Sequence, residues 1–388
     1  MKPRKLEKSL LKWASQYPVI TLTGPRQSGK TTLCRSVFPG YSYCSLEDID
    51  NRIYAKEDPR GFLAEFSGGA IIDEIQHAPD LVSYIQTLVD ERSDPGQYIL
   101  TGSRQFEMME RVSQSLAGRT AIARLYPFSL EELGISNSSL SLDDMLYAGF
   151  YPAINTRNLN PTEAYSFYVA TYLERDVRQI LSVMDIDRFE LFLKLCATRS
   201  GQLLNMQSIG NDCGITHNTV KSWLSVLQAS GIIKLLQPWH GNLGKRLIKS
   251  PKLYFYDTGL VCYLLGILNP DHLRSHPLRG HLFETFVIAE AQKQIAHSAL
   301  PSKLWFYRDS NGNEVDLIVE KGVSCDIYEI KSAATISSDF FKGIAVLRKE
   351  LSNIDSASIV YNGTQKQFRN QVNVLPWQHL IGEFEHEK

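Results

Sequence analysis

The sequence predicts an α/β protein that opens on a parallel sheet built around a glycine-rich turn. Three features predict it. Residues 18–23 are short, apolar and β-branched, as a buried strand is. Residues 24–31 read G-x-x-x-x-G-K-T. Residues 32–38 can open a helix that Pro39 and Gly40 stop. Strand, glycine turn and helix N-terminus gather backbone N–H groups and the positive end of a helix dipole at one place, which suits a polyphosphate.

This pattern is the phosphate loop (P-loop) of nucleotide triphosphatases (NTPases). Gly24 and Gly29 let the backbone close around phosphates, with Pro25, Arg26, Gln27 and Ser28 between them. Lys30 can reach the β- and γ-phosphates, the Thr31 hydroxyl can ligate Mg²⁺, and Thr32 completes the nucleotide-contacting set.

The bulk composition sets limits. At 388 residues the chain exceeds one comfortable core, so two or three domains are expected. A net charge of −1 gives no global pull toward nucleic acid, so any such binding needs a local patch. No apolar run approaches a membrane span, and residues 1–6 lack the apolar core of a signal peptide. The six cysteines are scattered without a C-x-x-C pair, as expected of reduced thiols in a cytoplasmic protein.

Further strands are expected at 41–46, 69–73, 97–103 and 120–125, with a surface helix and loop over the charged run 47–60. Asp73 and Glu74 close the apolar run 69–72, expected as the strand adjacent to residues 18–23. Asp73 would hold the Mg²⁺ shell, and Glu74 would orient or deprotonate the attacking water. Read alone, Asp-Glu at a strand end is an ordinary solvated turn. Ligands of open α/β sheets sit beyond the carboxyl ends of strands, so Thr101 or Ser103 could touch the γ-phosphate or the water. Of Arg104, Arg119 and Arg124, one could stabilise charge on the transferred phosphoryl group, with Arg119 the first choice. Each singly is also an ordinary surface arginine.

The set formed by residues 24–31, 71–74, 98–103 and 118–131 resembles the AAA-type ATPase family whose members carry a C-terminal domain of unknown function, DUF4143. The resemblance implies a P-loop ATPase core (1–135) that uses ATP and Mg²⁺, and it extends over 136–388. There the chain is read as a helical connector (136–187), a winged helix-turn-helix (188–258) and a nuclease-like α/β domain (259–388).

In the connector, Arg175 and Arg178 lie on a helix whose charges suit a solvated face or a trans-acting arginine. Helices at 189–198, 204–214 and 216–227, with a glycine turn at Gly214, make a helix-turn-helix, and strands at 232–236 and 252–256 supply a wing. Lys245, Arg246, Lys249 and Lys252 on the wing could meet DNA phosphates while residues 216–227, with Lys221, enter the major groove. The same fold also serves as a spacer or protein-docking module.

In the last third, Glu284 falls on an amphipathic helix over 280–290, and Asp316, Glu329 and Lys331 fall on two neighbouring strands. Glu329 and Lys331 are two apart and share a face. Aspartate followed about a dozen residues later by E-x-K is the skeleton of the PD-(D/E)XK nucleases, which DUF4143 domains resemble. Val315 replaces the name-giving proline. Glu284, Asp316 and Glu329 could hold Mg²⁺ against a phosphodiester, with Glu329 and Lys331 as the catalytic pair. His281 could be a further ligand or a structural residue, and Arg308 could pair with a phosphate or with an acid.

The expectation is therefore an α/β chain: a P-loop NTPase parallel sheet, a winged-helix module and a PD-(D/E)XK-like domain. It would act as a Mg-dependent ATPase on nucleic acid. The alternative is a nucleotide-controlled switch whose nuclease-like fold binds partners or DNA and cuts nothing. No membrane partner is expected. A homo-oligomer could supply the unlocated arginine finger.

Overall fold

The structure, a computed structural model, describes residues 2–66, 68–92, 94–102, 114–134, 140–172, 186–239 and 249–385. Ser103, Arg104, Arg175, Arg178, Lys245 and Arg246 lie outside the described residues. The chain divides into two compact units. One comprises Met1–Phe128, Ala229–Gly231 and Ala296–Ala299; the other comprises Ser129–Gln228, Ile232–Ile295 and Leu300–Lys388.

The first unit runs α1 (Glu7–Ala14), β1 (Val19–Thr23), α2 (Lys30–Val37), β2 (Ser42–Ser45), α3 (Ile49–Glu57), α4 (Pro59–Ala64), β3 (Ala70–Asp73), α5 (Leu81–Glu91), β4 (Tyr98–Gly102) and β5 (Thr120–Arg124). The strands pair in the order β2-β3-β4-β1-β5, all parallel. The three central strands are buried on both faces, as parallel sheets are. Successive residues point to opposite sides, so Val19, Ile72 and Leu100 pack with Ile85 and Val89, while Ile20, Leu22, Ile71 and Ile99 pack with Leu10, Leu33 and Val37. The charged run 47–60 holds two short helices, begun by Asp48 and Asp58 side chains that accept backbone N–H groups.

One expectation is corrected here. Asp73 closes β3, which is not adjacent to β1: β4 lies between them. All five residues of β4 are buried and need partners on both edges, whereas β2, with two exposed residues of four, tolerates the sheet's rim.

The second unit continues with α6 (Leu130–Leu133), α7 (Leu142–Ala148), α8 (Pro152–Arg157), α9 (Pro161–Tyr172), α10 (Ile186–Thr198), β6 (Gln202–Leu203), α11 (Met206–Cys213), α12 (His217–Ala229), β7 (Ile233–Leu236) and β8 (Lys252–Phe255). Then come α13 (Thr258–Leu264), α14 (Pro270–Arg274), α15 (Arg279–His297), β9 (Lys303–Arg308), β10 (Glu314–Lys321), β11 (Ser324–Lys331), α16 (Lys342–Glu350), β12 (Ile354–Tyr361), β13 (Gln367–Arg369) and β14 (Val372–Pro376). β6, β8 and β7 form a small antiparallel sheet in that order. The larger sheet is ordered β13-β14-β12-β11-β10-β9 and is mixed, with β11, β12 and β14 mutually parallel. The pairing of β10 with β9 shifts register between Val315 and Ile318, the stretch that holds Asp316 and Leu317. Irregularities of this kind re-aim a side chain.

A single apolar core joins Phe192 and Trp223 of the helices, Leu236 and Leu253 of the small sheet, Phe286 and Ile288 of α15, and Leu317 and Tyr328 of the large sheet. The regions read from sequence as connector, helix-turn-helix and terminal domain thus share one interior.

That interior contains a carboxyl group. Glu290 of α15 accepts the Leu130 backbone N–H at 3.1 and 3.2 Å, satisfying an open donor at the start of α6, and accepts Gln294 Nε2 at 2.7 Å. Burial pushes it from an ordinary 4.5 up to about 7, against the pull of Lys293 and these hydrogen bonds. A raised carboxyl supports the fold at low pH and loses that contribution as pH rises through its folded value. The displacement is worth about 3 kcal/mol. Relative to Glu290→Gln, the wild type should lose stability between pH 5 and pH 8, on the order of 3 kcal/mol by denaturant unfolding at both pH values. Parallel pH profiles would disprove the assignment.

Candidate functional site

The loop after β1 turns through three residues of positive φ, Gly24, Gln27 and Gly29. A Cβ on Gly24 would stand 2.1 Å from the Leu125 carbonyl oxygen, and its φ of 151° is open to glycine. Gly29, at φ 93°, precedes α2 and offers no side chain to cap its first N–H groups. Gln27 is left-handed at φ 58°. Thr32 and Gln27 are exposed, while Pro25 and Ser28 are buried. Among the described residues the Ser28 hydroxyl finds no hydrogen-bond partner. Lys30, 6% exposed, donates to the carbonyls of Gly24 and Pro25, each at 3.0 Å. Burial lowers its pKa, and Glu74 and Asp73 oppose that.

Asp73 is the acceptor that ties the carboxyl ends of the strands together. Its Oδ2 accepts Thr31 Oγ1 at 2.7 Å and the Tyr43 hydroxyl at 3.0 Å, and its Oδ1 accepts Thr101 Oγ1. Thr101, considered from sequence as a phosphate or water contact, ends beside the loop's acid and donates its hydroxyl hydrogen to Asp73. Glu74 follows in the left-handed region, at φ 56° and ψ 47°. This conformation costs a non-glycine residue about 1–3 kcal/mol and concentrates at functional sites. Its Oε2 accepts from Gln76 Nε2.

Arg119 is not brought to this loop. β1 and β5 run parallel with Val19 opposite Thr120, so Arg119 stands at the sheet's amino end, whereas the loop follows Thr23 at the carboxyl end. There it donates to Asp90 Oδ2 at 2.9 Å and to the Ala117 carbonyl at 3.1 Å. Its assignment to the nucleotide is therefore corrected. Arg124 is at the carboxyl end and donates to the Tyr126 hydroxyl at 3.0 Å.

Two residues that sequence reasoning passed over support the loop. Tyr43 carries no motif. Arg4 is buried and donates to the carbonyls of Ser28, at 2.9 Å, and Tyr126, at 2.6 Å, with its guanidinium 4.8 Å from the Phe128 ring centre. Nothing in the run Lys2–Lys5 distinguishes this one arginine.

In the second unit, β10, β11 and α15 bring Asp316, Glu329, Lys331 and Glu284 together. Lys331 Nζ lies 2.6 Å from Glu329 Oε1 and 3.4 Å from Asp316 Oδ2, and the Ile330 backbone N–H donates to Asp316 Oδ2 at 2.8 Å. The middle of the group is taken by Lys252 of β8. Its Nζ lies 2.8 Å from Glu284 Oε1 and 3.7 Å from Asp316 Oδ1, and it also pairs with Glu314 Oε1. The Tyr254 hydroxyl donates to Glu284 Oε1 at 2.5 Å. Two expectations change. Lys252, read as a wing lysine for DNA phosphates, is 3% exposed and committed to acids. Glu284, Asp316 and Glu329, read as Mg²⁺ ligands, are gathered around ammonium groups. Among the described residues no group of three or more His, Cys, Asp or Glu is arranged to hold a metal ion.

Burial raises Glu329 to about 8, with Asp316 adding to it and Lys331 opposing. Burial likewise raises Glu284 against Lys252. Burial alone would depress Lys252, but Glu284, Tyr254, Asp316 and Glu314 together hold it well above its ordinary value. His281 packs against Gly201, and burial, followed by Lys252, lowers its pKa. Arg308 pairs with an acid, Glu314 Oε2, at 3.0 Å. Glu314 was legible in principle, since it shares a strand face with Asp316.

A parallel five-stranded sheet with its glycine loop, lysine and strand-end acid defines a P-loop ATPase of the AAA type. Residues 16–134 match the family model described as AAA domain, and residues 279–380 match Domain of unknown function (DUF4143). Residues 139–271 match a separate Domain of unknown function (DUF8612), so the resemblance expected across 136–388 divides between two families. Protein Rv2008c of Mycobacterium tuberculosis and Mb2031c of Mycobacterium bovis, both described as uncharacterized, are each 32% identical over 352 residues, covering 90% of this chain and 77% of theirs. The chain belongs to the same family as these two proteins and itself carries an AAA domain and a DUF4143 domain. Among solved structures, the Walker-type ATPase paby2304 of Pyrococcus abyssi is similar at a TM-score of 0.45 and 15% identity, covering 67% of this chain and 94% of that one. No helix among the described residues is long and apolar enough to cross a membrane.

Charged hydrogen bonds to carbonyls contribute about 1.5–3 kcal/mol. Arg4→Ala should therefore lower unfolding stability by about 2–3 kcal/mol, measured by chemical denaturation. A change within error would mean that the guanidinium contributes nothing to holding the loop.

Proposed function

We propose that the N-terminal unit binds ATP with Mg²⁺ and hydrolyses it. The observation that carries this is the convergence on Asp73 of hydroxyls from α2, β2 and β4 beside the Lys30 loop. The residues fit the group: a glycine cradle, a buried Ser28 hydroxyl without a partner among the described residues, and a carboxylate already joined to the Thr31 hydroxyl. Thr31 and Asp73 hold Mg²⁺, and Gly24 to Thr32 enclose the phosphates. Mg²⁺, when bound, neutralises charge on the transferred phosphoryl group. Lys30 exchanges its two carbonyl partners for phosphate oxygens, which restores the charge interactions that burial withholds. Glu74 orients the attacking water and accepts its proton.

A second reading concerns the DUF4143 region. The ammonium of Lys252 among its acids favours the nucleotide-controlled switch over an open nuclease. The succession α10, β6, α11, α12, β7 and β8 supports a winged helix, with Lys221 and Lys249 as cations toward DNA.

Lys30→Ala should abolish Mg-ATP binding in a titration with a fluorescent ATP analogue; unchanged binding refutes the loop assignment. Glu74→Gln should keep binding and lower kcat by about 100-fold or more. Retained turnover would remove Glu74 from the water-activating role. Wild-type protein incubated with Mg²⁺ and DNA or RNA should leave both intact, and cleavage that Lys331→Ala abolishes would restore the nuclease reading.

A further inference from the structure

The sheet of the first unit carries the glycine loop at its carboxyl end and a pocket at the other. The pocket, of about 550 Å³, is lined from α4, from α5 and from the amino ends of β3 and β4. Small-molecule sites measure roughly 300–1,000 Å³. β1, β3 and β4 run parallel, so this place lies a strand's length from the loop that follows Thr23. One wall is fixed in advance. The Tyr41 hydroxyl donates to the Gly96 carbonyl at 2.6 Å, and a Cβ on Gly69 would stand 2.9 Å from the Tyr41 ring. Phe66 and Tyr84 add further rings to the lining.

Three donors beside those rings have no acceptor among the described residues. Tyr98 is 5% exposed and lines the pocket, yet its hydroxyl forms no hydrogen bond among them, whereas a phenol so buried normally finds a partner. Burial raises its pKa, which keeps the proton on oxygen, and the Arg92 guanidinium opposes the rise, as a nearby cation does. Arg92 and Arg60 line the same pocket, one just after α5 and the other on α4. Neither guanidinium pairs with a carboxylate among the described residues, although Glu91 and Asp94 share the lining.

We infer that this pocket binds a small planar aromatic anion. The ring packs against Tyr41, Phe66 and Tyr84, and the carboxylate, sulfonate or phosphate oxygens accept from Tyr98, Arg92 and Arg60. A neutral aromatic would leave both guanidinium groups unanswered, and an inorganic anion would leave the rings uncovered. Glu91 and Asp94 are exposed to water, which screens them, whereas the Tyr98 hydroxyl marks the buried end where the anion sits. Binding here uses neither ATP nor Lys30, so it stands apart from the ATPase reading.

The full-length protein is titrated with anilinonaphthalene sulfonate, an aromatic anion whose fluorescence rises on leaving water. Wild type should bind one equivalent saturably. Arg92→Ala and Tyr98→Phe should each weaken binding on the order of 10-fold, the scale of one hydrogen bond to a charged group. Lys30→Ala should bind as wild type does, which separates this pocket from the nucleotide loop. Inorganic sulfate at the same concentration should not displace the dye. Arg92 is exposed and Tyr98→Phe keeps its ring, so both variants should retain the wild-type unfolding transition. If either is unfolded, Arg60→Ala, at another exposed residue, replaces it with the same expected loss. Wild type without one saturable site, a folded pocket variant that binds as tightly as wild type, or loss of binding in Lys30→Ala overturns the inference.

Discussion

One buried carboxylate organises the first unit. Asp73 ends a strand whose every residue is buried, and a polar group in such a place must be paired. It is compensated by hydroxyls from three separate elements, Thr31 on α2, Tyr43 on β2 and Thr101 on β4. Those bonds draw the carboxyl ends of the strands and the start of α2 to a common point. Beside it stands the buried Lys30, whose ammonium form Glu74 and Asp73 favour against burial.

The second unit meets the same problem with the opposite solution. Four acids crowd between β10, β11 and α15, and two lysines answer them with full charges. A partner of opposite charge neutralises what hydroxyls only solvate. That neutralisation places Lys252 among the residues that define the terminal region, although β8 pairs with the small sheet.

The glycine loop, the lysine and the strand-end acids were legible because their spacing is local: eight consecutive residues specify a turn, and an apolar run specifies the strand. The strand pair with Asp316, Glu329 and Lys331 was legible for the same reason, since residues two apart share a face. Arg119 was misplaced because a residue's position just outside a strand does not reveal which end of the sheet the ligand occupies until strand direction is known. β3 was set beside β1 because order along the chain is a poor guide to order across a parallel sheet, where crossovers pass over neighbours. Lys252 was misread because one lysine within a basic run looks solvated, and only a fold can bury it against acids distant in sequence.

By itself, then, the amino-acid order determined the repertoire: a P-loop sequence with an acid at a strand end, the helices and strands of the middle region, and a strand pair bearing D and E-x-K. These depend on backbone periods and turn chemistry that act over a few residues. Tertiary structure alone decided which groups neutralise one another, setting hydroxyls against Asp73 and an ammonium against Glu284, Glu314 and Asp316. Charge pairing depends on distance in space, and chain separation does not encode it.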